Sequence, residues 1–133
     1  MTESRFRKIL WLYIGFTLAA IVAAFFPHYS ERLAQAYAKE PEPFLAQSLA
    51  ALITLITVGS ALWVTGIVGL FRFKRWGRSL SLYLTAVGLA LTPFLGASLY
   101  SGVEEVLMDV ASMLWGAILA ISYFSDINKR FAR

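Results

Sequence analysis

The heptapeptide Arg72-Phe73-Lys74-Arg75-Trp76-Gly77-Arg78 carries four cations and separates two uncharged apolar runs, 44–71 and 79–95. Apolar runs of this length are membrane spans, and Lys and Arg collect on the cytoplasmic side. So short a link allows only a turn, so the two runs form an antiparallel hairpin with its closed end inside. Working outward, Arg5, Arg7 and Lys8 precede a run over 9–26, while Lys129, Arg130 and Arg133 follow another over 104–124. These clusters hold all of the twelve Lys and Arg except Arg32 and Lys39. The chain therefore reads as an all-α membrane protein. It is expected to be an antiparallel bundle of four transmembrane helices with both termini cytoplasmic, in the cell (inner) membrane.

Composition supports that environment. Hydrophobic residues make up 59% of the 133 and charged residues 15%, against about 25% in soluble domains. Such a chain cannot cover a water-facing surface. The net charge of +4 flanks apolar runs and forms no soluble patch, so anionic lipid headgroups fit it better than nucleic acid. The absence of Cys excludes disulfides, thiolate metal sites and a Cys nucleophile. The first run exceeds the about 7–15 residues of a signal-peptide core, and the nearest small-x-small sequence, Ala34-Gln35-Ala36, lies far beyond it. An uncleaved first span is expected.

The outer segments agree with this topology. Residues 27–43 set Glu31, Glu40 and Glu42 against Arg32 and Lys39, and residues 96–105 contain two acids and no base. Within the first, Ser30 is placed to cap a short interfacial helix with Glu31 in its first turn and Leu33, Ala34 and Tyr37 on one side. Pro27 stops the first span, and Pro93 bends or ends the third. Residues 72–78 form the basic inner loop, and 1–133 form a single membrane domain.

Spans associate through small residues and hydroxyl or amide groups, because lipid tails are as apolar as Leu. Helical spacing gives each span a seam: Gly15, Ala19 and Ala23 on the first; Gln47, Ala50, Thr54, Thr57, Ala61 and Thr65 on the second. The third has Ser81, Thr85, Gly88 and Thr92, and the fourth Glu105, Asp109, Ser112, Gly116 and Ala120. Helix packing explains such stripes sufficiently. The alternative, a polar path through the bilayer, is weakened by Ala and Gly, which close a gap as readily as they leave one.

Glu104, Glu105 and Asp109 are the only acids in or bordering a span. Glu105 and Asp109 lie one helical turn apart, with Asp109 about 6 Å further in. An ionisable group at membrane depth points to function by default. The three acids are therefore the candidate ion, proton or subunit-contact site. Hydrogen bonding to Arg32, His28, Tyr100 or Ser98 would account for them without any such role. His28 is the sole histidine, and no catalytic, metal or cofactor motif is present.

Size and four-span layout are similar to the small multidrug resistance transporters, which depend on a membrane-embedded Glu in the first span. Residues 9–26 contain no acid, so the resemblance implies no shared mechanism. The expected function is that of an accessory, scaffold or assembly subunit of a membrane complex, not an enzyme. Its partners would be the lipid bilayer and a membrane protein or a second copy of the chain. The rival is a small oligomeric transporter or channel using Glu105 and Asp109 for protons or cations.

Overall fold

A computed structural model describes residues 2–26, 30–41, 47–96 and 98–131. Among them the chain is helical, with no strand: α1 (Glu3–Ala24), α2 (Glu31–Tyr37), α3 (Leu49–Phe71), α4 (Arg75–Leu91), a 3₁₀ turn (Thr92–Phe94), α5 (Gly102–Phe124) and α6 (Asn128–Phe131). Among the described residues α1, α3 and α5 are long and apolar enough to cross a membrane. This is a helical membrane protein.

Side-chain caps start most of these helices. Thr2, Ser30 and Ser48 each accept from the backbone N–H three residues on, at 3.4, 3.4 and 3.3 Å, which satisfies donors that the helix cannot. α1 begins six residues before the expected span, so the whole first basic cluster is helical. The expected second span begins at Phe44, but residues 42–46 lie outside the described residues, as does His28. Described helix starts at Leu49.

The basic inner segment is shorter as a turn than its charge pattern suggests, because α4 starts at Arg75. Only Arg72, Phe73 and Lys74 turn the chain. Phe73 N–H donates to Leu70 O at 3.1 Å and Lys74 N–H to Gly69 O at 2.9 Å, which is the Schellman pattern that closes a helix. The left-handed position normally given to Gly is held by Phe73, with φ 52°. Its ring meets the edge of Phe131 at 5.3 Å, and the Arg78 guanidinium lies 5.5 Å from the Phe131 ring centre. At the other end Pro93 cannot continue the ladder. α4 tightens into the 3₁₀ turn, and Gly96 follows at φ 78°.

Two compact units form, one drawn from Met1–Lys39 and Ser98–Asn128, the other from Glu40–Ala97 and Lys129–Arg133. In the first, α1 packs on α5. The pair is antiparallel: Tyr13 stacks on Trp115 with ring centres 4.8 Å apart, while Ala23 lies by Gly102. The buried positions Phe6, Leu10, Tyr13 and Ala20 of α1 recur at steps of four, three and seven, and Ala111, Ile118, Leu119 and Ser122 of α5 share one arc, so each set lies on one helix face.

In the second unit α3 packs on α4, and the helices touch backbone to backbone. A Cβ built on Gly69 would lie 2.5 Å from Gly77 Cα, and one on Gly77 equally close to Gly69. Only glycine at both positions permits this approach. One turn further along, Ser81 is 1% exposed, and its Oγ fills the place of a Gly66 side chain. Further along the pair, an apolar groove of about 390 Å³ is lined by Leu55, Gly59, Leu62, Leu84, Gly88 and Leu91, among others.

Candidate functional site

The acidic cluster sits at the start of α5, where Ser101 stands at the N-cap in extended backbone. Its Oγ accepts from Glu104 N–H at 3.3 Å, and Glu104 Oε2 accepts in return from Ser101 N–H at 3.4 Å. This reciprocal capping box satisfies two backbone donors that would otherwise be stranded. Ser101 is buried and Glu104 half-buried. Glu104 therefore performs a structural task. Both it and Glu105 also face the positive end of the helix dipole, where an acid is favourable.

Glu105 and Asp109 are different. Both are exposed and follow one another along α5 at a one-turn interval. The structure does not converge the three acids, since Glu104 turns back to its cap while the other two face outward. Among the described residues no group of three His, Cys, Asp or Glu is placed to hold a metal ion. What Glu105 and Asp109 offer is a short outward-facing acidic edge, able to accept hydrogen bonds from a donor or cation beside α5.

The small and hydroxylated stripes divide in the same way. Thr54 donates to Ala50 O at 2.8 Å, Thr65 to Ala61 O at 2.7 Å, Thr85 to Ser81 O at 2.8 Å and Thr92 to Gly88 O at 2.9 Å. Each hydroxyl proton is thus used within its own helix. Thr54 and Thr57 are exposed, as are Ser112 and Gly116, and a Cβ on Gly15, Gly88 or Gly116 would meet nothing within 4 Å. On α5 the buried positions Ala111, Ile118, Leu119 and Ser122 are centred about 120° around the helix from the stripe of Ser112, Gly116 and Ala120.

Three features escape the stripe reading. The first is the capping box, whose signature Ser101-Gly102-Val103-Glu104 is printed in the sequence ahead of an apolar run. The second is the glycine crossing, signalled by Gly77 and Ser81 as a small-xxx-small pair beside Gly66 and Gly69. The third is the cationic end of the α1 stripe. Lys8 lies with Gly15 and Ala19 along one groove of about 630 Å³. No family model, curated protein or solved structure matches the chain.

Proposed function

We propose that the protein is a four-span accessory, scaffold or assembly subunit of a membrane complex, with both termini on the cytoplasmic side of the inner membrane. The fourth span in this reading is α4 with its 3₁₀ extension. Seventeen α-helical residues rise about 26 Å and three 3₁₀ residues about 6 Å more. Together they match a hydrocarbon core of about 30 Å. Arg75 and Arg78 in the first turn extend toward headgroups, as long cationic side chains do at span ends.

The observation that carries the subunit reading is the internal use of the span hydroxyls. Thr54, Thr65, Thr85 and Thr92 each donate to the carbonyl four residues back, so their donors serve the helix backbone, as hydroxyls of packing helices do. Packing seams and a glycine crossing suit a protein whose work is to hold position. Glu105 and Asp109 then form the contact edge. A carboxylate facing lipid is costly, by about 2.5–3.5 kcal/mol at the centre of a span and less near its ends. A neighbouring protein that supplies donors offsets that cost. No residue has a catalytic role in this reading, and no cofactor is called for.

The test is purification from native membranes in lipid nanodiscs. The expected result is a larger membrane protein at fixed stoichiometry, with Asp109→Asn lowering its recovery. Proton or cation flux through the isolated chain in proteoliposomes, removed by Asp109→Asn, would establish the transporter reading instead.

A further inference from the structure

We infer that the groove on α1 is a binding site for one anionic phospholipid, its acyl chain over Gly15 and Ala19 and its phosphate at Lys8. The groove has a volume of about 630 Å³ and is lined by Lys8, Trp11, Leu12, Gly15, Phe16 and Ala19 of α1 together with Leu107 of α5. Its one charged group is at one end. Everything beyond Lys8 is apolar, and Gly15 forms an open floor where an added Cβ would touch nothing within 4 Å.

Length identifies the occupant. Lys8 to Ala19 spans eleven residues, or about 17 Å along the axis, close to half of a hydrocarbon core of about 30 Å. A groove one leaflet long, with a cation at its headgroup end, fits a single acyl chain and its phosphate. Trp11, 65% exposed, stands one turn inside Lys8, at the level where indole rings border headgroups. Arg5 precedes Lys8 on the same stripe, since 5, 8, 12, 15 and 19 follow steps of three and four, and adds a second cation at the mouth.

Charge argues against a second copy of the chain in this place. Two copies share one orientation in the membrane, so a symmetric contact through the stripe would set Lys8 and Arg5 beside their own counterparts. An anionic headgroup meets the same cations favourably. The groove between α3 and α4 makes a useful contrast, because its lining is uncharged from Leu55 to Leu95 and selects no headgroup.

The site is tested with the full chain in phosphatidylcholine nanodiscs containing a trace of photoreactive-acyl phosphatidylglycerol or photoreactive-acyl phosphatidylcholine, with adducts mapped by mass spectrometry. The phosphatidylglycerol probe should label residues 8–19 about fivefold more than the phosphatidylcholine probe, the effect of one cation near an anionic surface. Lys8→Gln should reduce that preference, and Lys8→Gln combined with Arg5→Gln should bring the two probes to parity. Gly15→Leu, whose side chain enters open space, should remove labelling of 8–19 by both probes while leaving labelling elsewhere and helicity by circular dichroism unchanged. Equal labelling of the wild-type chain by the two probes overturns the inference. So does unchanged labelling in Gly15→Leu, or copy-to-copy cross-links at this segment.

Discussion

Glycines that look alike in the sequence do opposite work in this fold. Gly69 and Gly77 are in backbone contact, while Gly15 and Gly116 face open space. Gly69→Leu should destabilise the α3–α4 pair by about 1–3 kcal/mol, the usual range for overpacking. Gly116→Ala should leave stability unchanged or slightly raised. Denaturation midpoints in mixed micelles, followed by circular dichroism, separate the two cases. Ser81 gives a finer check. Its Oγ is buried and finds no hydrogen-bond partner among the described residues, so Ser81→Ala should cost nothing and remove an unsatisfied group. A loss of 1 kcal/mol or more, on the scale of one hydrogen bond, would contradict that account. At the start of α5, Ser101→Ala breaks the capping box and should cost about 0.5–2 kcal/mol, read from the same midpoints. Glutamate at 104 is thereby separated from Glu105 and Asp109, a division that spacing alone does not make. All three are acids near the start of α5, and the local hydrogen bonds distinguish them.

At the scale of elements, the punctuation of the chain is legible and the rotation of its helices is not. Ser30 followed by Glu31 marks the start of α2, and Pro93 marks the end of α4, because caps and proline act through neighbouring backbone. Packed faces are set by a partner helix, which for α1 is α5, far along the chain. On α5 the stripe of small residues and the buried face differ by about 120°. In a membrane, both faces are apolar enough for lipid, so composition gives a weak vote. The same ambiguity explains the hydroxyl stripes. Thr on one side of a span signals either a path or local back-bonding, and Thr54 and Thr65 adopt the second. Thr54→Val should therefore leave thermal stability and any partner recovery at wild-type levels. The inner turn was shorter in the structure because cations do not interrupt a helix: Arg75 and Arg78 sit comfortably in the first turn of α4 once a Schellman turn has reversed the chain.

For the molecule as a whole, the proposed topology rests on the partition of basic residues and the helix ends. The basic clusters belong to the start of α1, the α3–α4 turn and the α6 end of the chain. Putting all of them on one side requires α4 to cross the bilayer, even though it is shorter than the other three. This crossing is the central claim, because the subunit reading, the acidic outer edge and the lipid site at Lys8 all take their sides from it. The chain contains no Cys, so single cysteines report accessibility cleanly. In sealed right-side-out vesicles, a membrane-impermeant maleimide should label Lys39→Cys and Ser98→Cys directly, and Ser4→Cys, Lys74→Cys and Asn128→Cys only after permeabilisation. Labelling of Lys74→Cys and Ser98→Cys from the same side would contradict the account, because α4 would then not cross the membrane.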